Sequence, residues 1–206
     1  MIIKELPSGP LMVNTYLAYD EINKKGFIVD PGGYDKKMMD TIAEEGLEIG
    51  YIILTHGHFD HIGGVNRYKE EFPDVKVLCA EAEVPMLADA SMNMSTMYGQ
   101  PTVITPDVTV KENDTLKIGD MEMKFVMTPG HSPGGMCVIM DGVVFAGDTL
   151  FQQSIGRTDF PGGSYDVLID SIRKKLLTLP DDTKVLPGHM GPTTVGFEKR
   201  YNPFVS

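Results

Sequence analysis

In THGHFDHIGG, residues 55–64, three of the chain's five histidines and an aspartate fall within six positions: His56, His58, Asp60 and His61. They come directly after the apolar run YIIL. The other two histidines, His131 and His189, also sit beside glycines where apolar runs end. Asp30 and Asp148 follow the same rule, each at the exit of an apolar run and next to Gly or Pro-Gly. A fold for this chain has to bring strand ends together. Loops on one edge of a sheet core are where α/β proteins place their chemistry.

The strand runs that can do this are 2–6, 12–19, 26–29, 51–54, 75–79, 121–128, 136–140, 143–146 and 184–186. In MEMKFVM (121–127), Met121, Met123, Phe125 and Met127 alternate onto one face, as in a half-buried strand. MCVIM and VVFAG read as a hairpin on Asp141-Gly142, a pair that suits a type I′ turn. Residues 164–179 predict a helix with Leu168, Ile172, Leu176 and Leu179 on one stripe, Ser164 as N-cap and Pro180 as terminator. Further helices are expected at 35–47, at 62–72 and, begun by Thr193 or Thr194, at 194–200. Strands come both in succession and separated by helices, so the expectation is mixed sheets covered by helices.

A length of 206 residues gives one sizeable core, and the chain reads as a single domain over 1–206. The net charge of −11 repels phosphate backbones, so no nucleic-acid partner is expected. No apolar run approaches the roughly 18 residues that span a bilayer, and no membrane partner is expected. MIIKELPSGP lacks the zones of a signal peptide. Cys79 and Cys137 lie inside apolar strand runs and read as buried thiols, so the expected location is the cytoplasm.

Imidazole and carboxylate are the ligands that borderline divalent metals prefer. In an extended loop His56 and His58, two apart, point the same way and can meet one ion. Asp60 and His61, at a helix start, suit a second. His131 and His189 can each complete a half-shell, and Asp148 has two oxygens with which to bridge. Seven ligands shared in this way describe a two-metal site, whereas structural zinc sites favour cysteine and close with four ligands. Zinc suits the imidazole-rich set, while iron and manganese occupy similar sites.

THGHFDH resembles the HxHxDH signature of the metallo-β-lactamase superfamily. TPGH (128–131), GD (147–148) and PGH (187–189) follow in the order that superfamily shows. The resemblance implies an α/β fold of the α+β type, a four-layer αββα sandwich with the metal site at one edge of its paired sheets. It implies His56, His58 and His131 on a first metal, Asp60, His61 and His189 on a second, and Asp148 bridging. It implies a hydroxide that two such ions would hold and that would attack an electrophilic carbonyl. It further implies Asp60 as the catalytic residue that orients the nucleophile, and Asp30 as a residue that holds a neighbouring loop or histidine.

Within the superfamily, flavodiiron proteins usually carry an acidic residue at the His58 position, and RNA-processing phosphodiesterases usually carry a protruding arm. β-Lactamases usually lack the aspartate at the Asp148 position and are exported. GDTLFQQSIGRTDFPGG (147–163) and TTVGFEKRYNPF (193–204) are most similar to short glyoxalase-II-type thioester hydrolases. Hydrolysis of an acyl-thiol such as S-lactoylglutathione is implied. Seventeen residues follow His189, so the expectation is a chain lacking the C-terminal helical region that grips glutathione in full-length members.

The same resemblance leaves two alternatives: a persulfide (sulfur) dioxygenase using one iron on His56, His131 and Asp148, or another ester or lactone hydrolase. Arg157 either steers an anionic substrate or ties down its loop. Lys199 and Arg200 either contact substrate from the last helix or are solvated. Met86, Met92, Met94 and Met97, in the segment 84–99, either wall an acyl pocket or fill an irregular core.

Overall fold

Two six-stranded sheets share the chain, and the computed structural model describes residues 1–205 of it. In the first, β1 (Ile2–Ser8), β2 (Val13–Tyr19), β3 (Lys25–Val29), β4 (Glu48–Ile53), β5 (Lys76–Ala80) and β6 (Val108–Val110) lie side by side in chain order. The second is ordered β14 (Thr193–Thr194), β13 (Lys184–Pro187), β10 (Val143–Gly147), β9 (Met136–Met140), β8 (Met121–Met127), β7 (Thr115–Ile118). A small hairpin of β11 (Leu150–Phe151) and β12 (Ser154–Ile155) stands apart from both.

Connection length sets the pairing. β1, β2 and β3 are joined by short turns and run antiparallel. β3 to β6 run parallel, because a helical crossover separates each pair. These crossovers carry α1 (Lys36–Glu45), α2 (Phe59–Ile62) with α3 (Val65–Glu71), and α4 (Val84–Leu87). In the second sheet only β10 and β13 are parallel, across the crossover that holds α5 (Tyr165–Ser171).

Three apolar clusters separate four layers. Met38 and Ile42 of α1 and Val65 and Tyr68 of α3 pack on Leu17, Ile28 and Ile52 of the first sheet. Tyr16, Phe27 and Leu78 meet Met123, Phe125, Val138 and Phe145 between the sheets. Leu168, Ile172 and Leu176 cover Val144, Ala146 and Val185 on the far side. The arrangement is the helix–sheet–sheet–helix sandwich that the family resemblance implied. Cys79 and Cys137 are buried and free. Among the described residues no helix is long and apolar enough to cross a membrane.

Several expectations change in detail. The Asp141-Gly142 turn is not type I′, since only Gly142 takes a positive φ (70°) and Asp141 does not. The 164–179 helix is α-helical only to Ser171 and then widens over Ile172–Leu176, where the Leu177 amide donates five residues back to Ile172. Ser164 sits at the N-cap position without a capping side-chain bond, and its amide donates instead to the Gly130 carbonyl (2.8 Å). Gly130 has φ 129° and lies against the Leu168 backbone, where a side chain would collide. The 62–72 helix is two pieces, because α2 starts earlier and Gly63-Gly64 interrupts it. The last helix, α6 (Val195–Tyr201), is capped by Thr194, whose hydroxyl accepts from the Phe197 amide. Short strands β6, β7, β11, β12 and β14 escaped the sequence, having two to four residues each and little periodicity to read.

Phe145 is fully buried and meets the Tyr16 and Phe27 rings edge-on at 5.4 and 6.1 Å. Phe145→Ala should cost about 3–5 kcal/mol. A urea titration should show a lower midpoint with an unchanged slope; an unmoved midpoint would mean that the inter-sheet layer does not carry the fold.

Candidate metal centre

The edge where β3, β4, β8, β10 and β13 end is built from backbone ties between loops. Asp30 leaves β3 in the left-handed region (φ 47°), and its amide donates to the Ile53 carbonyl (3.1 Å). Its carboxylate accepts the Thr55 amide at Oδ1 (2.8 Å) and the Thr55 hydroxyl at Oδ2 (2.6 Å). The loop before His189 is held by β2: Asn14 Nδ2 donates to the carbonyls of Pro187 (3.0 Å) and Met190 (2.8 Å), and the Tyr16 hydroxyl to Pro187 (2.7 Å). Gly188 has no room for a side chain, because a Cβ there would meet Asp148 Oδ1 and His61 Cε1.

Hydrogen-bond arithmetic assigns the tautomers. His131 Nδ1 lies 2.7 Å from the Arg157 carbonyl oxygen, which can only accept, so Nδ1 carries the hydrogen and Nε2 presents a lone pair. The Thr55 hydroxyl gives its hydrogen to Asp30, so it accepts from His56 Nδ1 (3.2 Å), leaving His56 Nε2 as a lone pair. His61 Nδ1 donates to Asp30 Oδ2 (3.0 Å), which turns His61 Nε2 inward.

The two lone pairs of His56 Nε2 and His131 Nε2 then face each other at 3.2 Å, with His58 Nδ1 2.9 Å from the latter. That contact is repulsive unless a cation lies among the nitrogens. Tetrahedral nitrogens on bonds of about 2.0–2.1 Å stand about 3.3 Å apart, so the spacing fits an ion.

A second set joins Asp60, His61 and His189, with Asp60 Oδ2 3.1 Å from His189 Nε2 and 3.8 Å from His61 Nε2. Asp148 stands between the sets: Oδ1 is 3.3 Å from His61 Nε2, and Oδ2 is 3.7 Å from His131 Nε2 and 3.8 Å from His189 Nε2. His61 Nε2 and Asp148 Oδ1 are buried and have no polar partner closer than each other, at 3.3 Å. Unsatisfied buried polar atoms are costly. Here they are what a bound ion would satisfy, and the seven donor groups fit a pair of divalent metals.

Charge separates the two sets. Burial, then neighbouring imidazoles, hold His56 well below the ordinary histidine pKa and push His58 down to about 3. Burial also lowers His131, against the pull of Asp148. These three are neutral ligands. In the second set burial opposes charge on His61, but Asp148, Asp60 and Asp30 raise it well above the ordinary value. The hydrogen bond to Asp60 raises His189. Burial works against the ionised forms of Asp60 and Asp148 too, yet the histidines hold both below the usual carboxylate range. This half demands positive charge, which protons or an ion can supply.

A cleft of about 430 Å³ opens over both sets, walled by Leu11, Tyr98, Phe151, Ile155, Phe160 and Met190. Arg157 lines it, but its guanidinium forms a two-point pair with Asp159 (2.7 Å each) and stacks on Phe160 (3.7 Å). The carbonyl of Arg157, not its charge, orients His131. Lys199 and Arg200 do not line the cleft, contrary to a substrate contact. Lys199 is held by the Leu179 carbonyl and Asp181, and Arg200 lies exposed near the Tyr201 ring. In the segment 84–99, Met86 and Met94 are core residues and Met97 is exposed. None of its methionines walls the cleft. The segment instead delivers Tyr98, stacked on Phe59 at 3.7 Å.

Sequence reasoning missed Asn14, Thr55, Glu83 and Tyr98. A signal existed for Asn14, an amide side chain at the head of the strand run VNTYLAY, every residue of which is buried. Asp30→Ala should weaken metal uptake roughly 10–100-fold by releasing His61 and Thr55. Titration of metal-free protein against a chelating indicator measures this, and unchanged affinity would remove Asp30 from the site.

A model of the metallo-beta-lactamase superfamily matches residues 8–189. The chain is 40% identical to a probable metallo-hydrolase, YqgX, of Bacillus subtilis (98% of this chain, 97% of the relative). It is 37% identical to the hydroxyacylglutathione hydrolase GloC of Haemophilus influenzae (100% and 99%). Among solved structures, the BLEG-1 B3 metallo-beta-lactamase superposes with a TM-score of 0.93 at 39% identity, covering 100% of both chains. TTHA1623 in a di-iron-bound form superposes with 0.86 at 34% identity (98% and 99%). The protein is a metallo-hydrolase of the metallo-beta-lactamase superfamily.

Proposed function

We propose that the chain hydrolyses a small acyl-thiol, with S-lactoylglutathione as the model substrate, using two divalent metals per chain. The observation that carries this reading is Asp148, one carboxylate with an oxygen toward each donor set. His56, His58 and His131 would hold one ion, Asp60, His61 and His189 the other, with Asp148 shared. Zinc suits the donors, and the di-iron form of TTHA1623 makes iron the next choice, with manganese after it. When bound, the ions supply Lewis acidity and a water of lowered pKa.

The chain's own residues do the rest. Asp60 accepts from the attacking water and orients it, its Oδ2 already placed by His189. Water oxygen bonds to the acyl carbon, the C–S bond breaks, and the departing thiolate takes a proton. Phe151, Ile155 and Phe160 give the acyl-sulfur portion an apolar wall. Arg157, the only Lys or Arg among the described residues lining the cleft, engages an anionic carrier by exchanging Asp159 for a substrate carboxylate.

The test is metal content of protein purified without added metal, paired with anaerobic thioester turnover. Two metals per chain with oxygen-independent thiol release is the expected result. One iron with oxygen consumed on a persulfide would assign the chain to sulfur oxidation instead. The likeness to BLEG-1 makes a chromogenic β-lactam the necessary control, and turnover of it in place of the thioester would replace the substrate class. His58→Ala should reduce metal content to one per chain and cut hydrolysis at least about 100-fold, beyond the usual cost of losing an outer partner. Full metal content in that variant would remove His58 from the ligand set.

A further inference from the structure

We propose that Glu83 is a positioning residue for the three-histidine half of the site, clamping the His56–His58 turn to the His131 turn. The inference rests on the two-metal reading above. Glu83 ends the single 3₁₀ turn Glu81–Glu83 after β5 and is 1% exposed. Among the described residues no lysine, arginine or histidine forms an ion pair with it. Its two oxygens are divided between two loops: Oε1 accepts the Gly57 amide (2.8 Å) and Oε2 accepts the Gly134 amide (2.6 Å). Gly57 stands between His56 and His58, and Gly134 lies three residues after His131.

Both turns close directly on the Glu83 segment. A Cβ on Gly134 would strike the Glu83 backbone nitrogen, and one on Gly57 would lie 3.2 Å from Met86 and Leu87 side-chain atoms. Only a carboxylate serves here. Two N–H donors arrive from opposite loops, and a glutamine would turn its own NH₂ toward one of them. Burial raises the Glu83 pKa above the ordinary carboxylate value, and the two amides that it accepts work against that rise.

The experiment titrates metal-free wild-type, Glu83→Gln and Glu83→Asp proteins with Co²⁺, following visible ligand-field absorption, alongside thermal unfolding of the metal-free forms. Glu83→Gln should weaken one of the two stepwise affinities about 10–100-fold and alter that ion's spectrum, leaving the other step unchanged. His131→Ala with Glu83→Gln should bind no worse than His131→Ala alone, because both changes act on the same half. Equal affinities and identical spectra in Glu83→Gln overturn the proposal even if its melting temperature falls. Equal weakening of both steps overturns it too. If Glu83→Gln does not fold, Glu83→Asp, which keeps the charge but shortens the reach, is read by the same criteria. A wild-type protein that takes up no Co²⁺ removes the two-metal reading itself, and this is seen before any variant is compared.

Discussion

The active edge depends on the Asp30 carboxylate more than on any one of the histidines. Asp30 Oδ2 takes the Thr55 hydroxyl hydrogen, which makes Thr55 an acceptor for His56, and it also takes the His61 hydrogen. One buried oxygen thereby sets the tautomers of two histidines that belong to different donor sets. Its partner Oδ1 pins the amide of Thr55, so the end of β4 cannot move relative to the end of β3. Orientation of ligating imidazoles by a carboxylate or a carbonyl is how proteins fix which nitrogen meets a metal.

Around that point the two halves of the site are electrostatically unlike. The His56, His58 and His131 half is neutral and sterically crowded, with the lone pairs of His56 and His131 facing at 3.2 Å. The Asp60, His61 and His189 half is rich in carboxylate, which raises the pKa of both its imidazoles. An ion relieves repulsion in the first half and replaces protons in the second. Asp148 touches both, so occupancy of one half alters the field felt by the other.

The cleft has apolar walls, and among the described residues its one lysine or arginine, Arg157, is already paired with Asp159. GloC and BLEG-1 are each more than a third identical to this chain and carry different names, so membership of the superfamily does not by itself fix the reaction.

The sequence by itself, through alternating apolar strands, helical stripes and polar residues at strand exits beside glycine, carried mixed sheets covered by helices and a cluster of candidate metal donors; the four-layer order came from the resemblance to the metallo-β-lactamase superfamily. Tertiary structure decided everything that needs two distant segments to meet. Glu83 reads as a surface acid in EAEVP until Gly57 and Gly134 converge on it, and Asn14 gains its meaning only from Pro187 and Met190. Lys199 and Arg200 are as basic in the chain as Arg157, but packing of α6 ties one to Asp181 and leaves the other away from the cleft. The physical reason is range. Periodicity and turn chemistry act over a few residues, whereas hydrogen-bond satisfaction of a buried group depends on whichever atoms folding brings within about 3 Å.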